Sequence, residues 1–262
     1  MMATQELQAP AAAPPARAST PGAAADTLLT ISNLTAGYGD VQVLWGVDLQ
    51  VKAGAITCIV GSNGAGKSTL LRTISGMVKP KTGNIRFGSR DLAGEDPDVV
   101  LNAGIAHVPE GRRLFRGLSI RDNLLLGAYM RRDSRADIEH DLEFIYSMFP
   151  ILKERQKQDA TTLSGGEQQM CAIGRGIMSK PQLLMVDELS LGLAPRAVEK
   201  LGEALVEINR AGLTILLVEQ DVLTAFDLAS QAFVLETGRV SLSGPTAELS
   251  VDPRIRQAYM GI

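Results

Sequence analysis

Ala55-Ile56-Thr57-Cys58-Ile59-Val60-Gly61-Ser62-Asn63-Gly64-Ala65-Gly66-Lys67-Ser68 decides the fold of this chain. Its first six residues are a continuous apolar run, the pattern of a strand buried on both faces of a parallel sheet. The next eight fit GxxxxGK[ST], and a helix is expected over residues 68–77. Glycines let backbone N–H groups curl around phosphate oxygens, and a helix start adds its positive end. Lys67 would then reach the β- and γ-phosphates, and the Ser68 hydroxyl would coordinate Mg2+. A chance glycine loop would lack the flanking strand and helix, so the segment reads as a nucleotide-binding loop.

Working outward, Leu183-Leu184-Met185-Val186-Asp187-Glu188 is a second apolar strand, closed by two carboxylates. Strand ends at this edge of a parallel sheet face the ligand crevice. Asp187 is expected near Mg2+, through water, and Glu188 is expected to polarise an attacking water. An acidic pair on a plain surface is the blander reading, which the upstream phosphate loop disfavours. Further strands are expected at residues 28–31, 41–51, 84–87, 104–108, 213–218, 232–236 and 239–242, with a turn at Gly37-Tyr38-Gly39-Asp40. Helices are expected at 123–130, at 135–149 with Pro150 closing it, from Glu167 onward, at 197–210 and at 222–229. Alternating buried strands and helices imply an α/β fold with a mostly parallel core sheet. An antiparallel N-terminal β subdomain precedes it, and a helical block, about residues 115–165, is inserted within it.

The chain has 262 residues, enough for one large domain. Its formal net charge of −3 lacks the basic excess of a nucleic-acid binder. Cys58 and Cys171 stand far apart with no metal-ligand spacing, which argues against a zinc site or a disulfide scaffold. No apolar stretch is long enough to span a bilayer. Residues 1–26 are rich in Ala and Pro, without the apolar core of a signal peptide, and are expected to form a disordered tail. The expectation is a protein made and kept inside the cell.

Leu163-Ser164-Gly165-Gly166-Glu167-Gln168-Gln169-Met170 is the next informative stretch. Ser164 and Glu167 form an S-x-x-E capping box opening a helix. The two glycines inside that cap leave N–H groups uncovered, a second anion site about 100 residues after the first. These residues resemble the ATP-binding-cassette ATPases, whose signature reads LSGGQ or LSGGE, and the likeness covers residues 28–262. The resemblance implies that Tyr38 stacks on adenine and that Gly61, Ser62, Asn63, Gly64, Ala65, Gly66, Lys67, Ser68 and Thr69 hold the phosphates. It further implies that Ser164, Gly165, Gly166 and Glu167 grip a partner's nucleotide, that Asp187 and Glu188 are the magnesium-associated and catalytic carboxylates, and that two such domains sandwich two ATP molecules.

Val108-Pro109-Glu110-Gly111-Arg112-Arg113, Leu191-Gly192-Leu193-Ala194-Pro195, Val218-Glu219-Gln220 and the closing Arg256-Gln257-Ala258-Tyr259-Met260-Gly261 are similar to an ATPase subunit of branched-chain amino acid importers. That likeness implies a homologous ATPase partner, two integral-membrane permease subunits, a periplasmic solute-binding protein, and a location at the cytoplasmic face of the membrane. Another transport ATPase, for urea, amides or lipids, and a non-transport assembly factor share the core motifs and remain open.

Four positions depart from the family pattern. Glu110 stands for a Gln that touches Mg2+, and a carboxylate can still ligate it. Gln220 stands at the position of the switch histidine; it can hydrogen-bond a γ-phosphate but cannot carry positive charge. Ala194 replaces an Asp. Leu189 replaces a Pro, which leaves the loop beyond Glu188 freer and, with Gln220, predicts slow hydrolysis on this chain's own loop. Seven arginines, from Arg112 to Arg135, crowd a short stretch. They read either as a solvated face with local ion pairs or, by resemblance, as contacts for a membrane subunit or lipid phosphates, Arg131 and Arg132 among them. His107 is expected to be packed and His140 exposed, neither with a metal-ligand partner.

Overall fold

The computed structural model describes residues 27–260, so the tail expected at 1–26 lies outside the described residues. β1 (Thr27–Tyr38) and β2 (Val41–Lys52) form an antiparallel hairpin, and β3 (Ile56–Val60) leaves it for a second sheet. After α1 (Lys67–Ile74), β4 (Pro80–Phe87) and β5 (Arg90–Asp91) return to the first sheet, in the order β2-β1-β4-β5. Then come α2 (Pro97–Ala103), β6 (Ile105–Val108), and the helical block α3 (Ile120–Leu126), α4 (Arg135–Met148), α5 (Pro150–Glu154) and α6 (Gly165–Met178). The chain closes with β7 (Leu183–Asp187), α7 (Pro195–Arg210), β8 (Thr214–Glu219), α8 (Val222–Leu228), β9 (Gln231–Glu236) and β10 (Arg239–Pro245), then two short helices, α9 (Thr246–Leu249) and α10 (Pro253–Ile255).

The second sheet has the order β10-β9-β3-β8-β7-β6, parallel throughout except for β10. β3, β7 and β8 are buried at every residue, which is why they read as unbroken apolar runs. Their side chains alternate between two cores. Ile59, Met185, Leu216 and Leu235 pack with α1, α2 and the antiparallel sheet, whereas Cys58, Val186, Leu217 and Val234 pack with the helical block, α7 and α8. Each fully buried aliphatic side chain of these rows contributes on the order of 1.5–3 kcal/mol.

Several boundaries differ from the sequence reading, each for a local reason. β1 runs on to Tyr38 because Ser32-Asn33, which resembles a turn, is a bulge: Asn33 takes φ +47° and its N–H donates to Asp48 Oδ1 at 2.8 Å. The hairpin turn shrinks to Gly39-Asp40. α3 begins three residues before 123, because the Ser119 hydroxyl accepts from the Asp122 N–H. It ends before Gly127, where a Cβ would stand 1.9 Å from the Arg175 carbonyl of α6, so only glycine permits that approach. Pro150 closes α4 and also opens α5 at its first position.

Candidate functional site

β3, β8, β7 and β6 are consecutive neighbours and end together. Val60 pairs with Glu219, Asp187 with Val218, and Val108 with Val186. The glycine loop, Glu219, Asp187 and Glu110 therefore leave the sheet along one carboxyl edge, the ligand-binding side of a parallel sheet. There a cavity of about 580 Å³ is lined by Asn63, Gly64, Gly66, Lys67, Ser68 and Thr69, together with Glu110, Glu188, Val43 and Leu191.

The loop keeps its shape through two constraints. Gly66, at φ +106°, begins α1 with no side-chain cap and no acidic residue in the first turn, so the leading N–H groups stay open to an anion. Gly61 passes so close to β9 that a Cβ would lie 2.2 Å from the Leu235 carbonyl. From outside, the Gly238 N–H donates to the Ala65 carbonyl at 2.8 Å, tying the loop to the β9–β10 turn. The Lys67 ammonium is buried and donates to the carbonyls of Gly61, at 2.8 Å, and Ser62, at 3.1 Å. It is thus held over the loop whose phosphates it would meet.

Asp187 is buried at the floor of this region, and among the described residues its Oδ1 has no hydrogen-bond partner. Burial pushes its carboxyl up to about 6; Glu188 and Glu110 push the same way, while a Ser68 hydrogen bond and Lys67 oppose them. Such a carboxylate fits a nearby divalent cation. No three His, Cys, Asp or Glu side chains among the described residues converge as a protein-only metal site. Mg2+ carried by phosphates needs only one or two protein groups, and Ser68, Asp187 and Glu110 would be the oxygen donors within this region.

Glu188 follows β7 with φ +51°, a left-handed backbone that costs a non-glycine residue on the order of 1–3 kcal/mol. Its N–H donates to the Val218 carbonyl at 2.9 Å, and it lines the cavity. The loop after it is not left free by the absence of proline. Leu189 is 1% exposed within the core, and Ser190 donates its N–H and hydroxyl to Glu219 at 2.8 and 2.9 Å. Packing and hydrogen bonds therefore hold Glu188, which corrects the freer loop expected there.

Other expected residues lie apart from the cavity. Tyr38 is half exposed, and its hydroxyl accepts from Arg72 at 3.2 Å. Gln220 is exposed beyond β8, with its N–H donated to Glu219 at 3.2 Å. Ser164, Gly165, Gly166 and Glu167 do not line it either. They form the expected capping box, in which Glu167 Oε2 accepts the Ser164 N–H at 2.9 Å. The glycines also serve packing: a Cβ on Gly166 would lie 2.8 Å from the Ala197 methyl, and one on Gly165 about 3.1–3.2 Å from Leu193 and the Arg112 guanidinium.

The arginine stretch divides. Arg131 is buried in ion pairs with Asp133 and Asp141, the local-ion-pair reading of this stretch. Arg121 pairs with Glu139. Arg116, Arg132 and Arg135 are exposed. Arg175 of α6 donates to the carbonyls of Arg112, at 3.1 Å, and Arg113, at 2.8 Å, both at positive φ, and so fixes the loop after Glu110. His107 is neutral, pushed down to about 4 by burial and by Arg72, and His140 is exposed. Glu219 carries no assigned role in the sequence motif Val218-Glu219-Gln220. The available signal was an acid closing an otherwise apolar strand beside Asp187.

The ABC transporter family model matches residues 44–190. The high-affinity branched-chain amino acid transport ATP-binding protein BraG of Pseudomonas aeruginosa is 42% identical over 89% of this chain and 100% of its own length. The probable branched-chain amino acid transport ATP-binding protein LivF of Archaeoglobus fulgidus is 33% identical over 90% of this chain and 99% of its own. A solved dimeric ATP-binding cassette in a post-hydrolysis state, bound to ADP and Pi, matches with TM-score 0.75 and 25% identity over 83% of this chain and 98% of that one.

Proposed function

The chain belongs to the ABC transporter family as an ATP-hydrolysing subunit, and from that premise we propose that it powers the import of branched-chain amino acids through partner membrane subunits. The observation that carries the solute reading is the likeness to BraG, which runs over all of BraG and 89% of this chain.

The site supports a division of labour. The glycine loop and the start of α1 bind the phosphates of ATP through N–H groups, and Lys67 exchanges the Gly61 and Ser62 carbonyls for phosphate oxygens. Ser68, Asp187 and Glu110 would hold Mg2+, which neutralises phosphate charge when bound. Glu188 accepts a proton from the attacking water, and Gln220 hydrogen-bonds the γ-phosphate. Tyr38 offers the adenine a ring, kept in place by Arg72. Ser164, Gly165, Gly166 and Glu167, which do not line this chain's own cavity, serve the nucleotide of a homologous ATPase subunit, whose signature serves this one. Closure does transport work because ATP binds the closed pair better than the open one.

In this reading the pair sits at the cytoplasmic face of the membrane on two permease subunits, fed by a periplasmic solute-binding protein. Among the described residues no helix is long and apolar enough to cross a membrane. The test is to isolate the complex from membranes. Two permease subunits and a second ATPase should co-purify, and a binding protein loaded with leucine, isoleucine or valine should stimulate ATP hydrolysis. Soluble partners alone, or stimulation by another class of solute, would overturn the assignment.

A further inference from the structure

Glu219 closes β8 at the carboxyl edge, 1% exposed, one strand away from Asp187. Burying a carboxylate in an apolar strand costs several kcal/mol unless donors meet it. Its donors all come from two segments. Oε1 accepts the Ser190 N–H at 2.8 Å, and Oε2 accepts the Ser190 hydroxyl at 2.9 Å and the Gln220 N–H at 3.2 Å. Ser190 lies two residues beyond Glu188, and Gln220 is the neighbour assigned to the γ-phosphate. Burial, helped by Glu188, pushes the Glu219 carboxyl up, and these donors pull it back.

The same edge carries one further stitch, from the Glu188 N–H to the Val218 carbonyl. The strand end of β8 therefore grips the strained residue Glu188 on both sides, directly at its N–H and through Ser190 beyond it. Downstream, the Leu193 N–H donates to the Ser190 carbonyl at 3.1 Å, so the anchored serine also orders the run toward α7. Leu189 packs but, without a ring, does not fix its own φ.

We propose that Glu219 is a positioning residue for hydrolysis: a buried carboxylate clamp that fixes Glu188 through Ser190 and presents Gln220 through its backbone. It rests on the assignment of Glu188 as the water-activating carboxylate, and adds a role for a residue that does not line the phosphate cavity. Because the clamp touches neither the glycine loop nor Lys67, its loss should appear in kcat and not in the affinity of the glycine loop.

The experiment uses the full chain in its isolated complex, with Glu219→Ala, Glu219→Gln, Ser190→Ala and the Glu219→Gln/Ser190→Ala pair. Misplacing a reacting group by about 1 Å can cost about 100-fold, so Glu219→Ala should lower kcat at least about tenfold, and Glu219→Gln less because it keeps an acceptor. ATP affinity should stay within about twofold, and the Gln and Ala effects should be non-additive, since both act on the hydrogen bond between the Ser190 hydroxyl and Glu219. Amide exchange should accelerate at Ser190 and Gln220 in Glu219→Ala. Unchanged kcat in both Glu219 variants, or kcat and nucleotide affinity falling together, would overturn the clamp. If Glu219→Ala does not fold, additivity of Glu219→Gln with Ser190→Ala overturns it instead. A parallel Glu188→Gln complex that hydrolyses ATP normally would overturn the site assignment and the clamp with it.

Discussion

Arg131 and Asp141 form a buried ion pair, with Nη2 2.6 Å from Oδ2 and side chains 6% and 11% exposed. The same guanidinium reaches Asp133 at 2.6 Å and donates to the Met178 carbonyl at 2.9 Å. It joins the segment after α3 to α4 and to the end of α6. Arg131→Ala strands Asp141 without its counter-charge, a loss of about 3–5 kcal/mol. At about 2–4 °C per kcal/mol, the melting temperature should fall by roughly 10 °C. Arg132→Glu, on an exposed side chain, should stay within about 0.5 kcal/mol. Equal melting temperatures for the two variants would contradict the pair's structural role.

Lys67→Ala and Glu188→Gln should separate binding from chemistry. Removing the ammonium takes away a phosphate contact, so ATP titration of Lys67→Ala should show markedly weaker binding. Glu188→Gln keeps the cavity's shape and should leave affinity nearly intact while hydrolysis drops by about 100-fold or more, the usual worth of a general base. Equilibrium binding and single-turnover hydrolysis on the same samples decide the matter.

Gly238 couples the β9–β10 turn to the nucleotide loop. Its φ is +76°, a Cβ there would lie 1.8 Å from the Val43 carbonyl, and its own carbonyl accepts the Trp45 N–H at 2.9 Å. Gly238→Ala combines a left-handed backbone cost of about 1–2 kcal/mol with a clash against main chain. Both stability and ATP affinity should fall. Gly39→Ala, at φ +55° in open space, bears the backbone cost alone and should leave affinity unchanged. Calorimetry on the pair of variants checks this.

His107 supplies the pH dependence. Burial, with Arg72 nearby on α1, pushes its pKa from 6.5 down to about 4, and its Nδ1 meets the Ser75 hydroxyl at 3.2 Å. Between those values the unfolded chain binds more protons than the folded one, so stability rises with pH. The contribution is complete above 6.5 and is lost as pH falls toward 4, a swing of about 3 kcal/mol. His107→Gln should flatten the difference in denaturation midpoint between pH 7 and pH 4.5. An unaltered acid limb would remove His107 from that account.

The buried strands and the glycine loop were legible because their signals are local: unbroken apolar runs, and glycines at fixed offsets. The bulge at Ser32-Asn33 was not, since its turn-like residues are explained only by the Asp48 carboxylate on the neighbouring strand. The hold on Glu188 was misread for a similar reason. Reading Leu189 as a missing proline considered only its own backbone, whereas its burial and the grip of Glu219 on Ser190 come from residues about 30 positions away. In the sequence Arg131 is one of a run of arginines, and its buried partner Asp141, ten positions away on the next helix, is not marked by any local signal.

Gly165 is where two messages arrive. Leu193, at the end of the run that begins with Glu188, and Arg112, just past Glu110, both close on this one position at the head of α6. A tilt of that helix cannot leave either loop where it was. In the proposed pair, a shift of either loop at the cavity would therefore bear on the helix start that serves the partner's nucleotide.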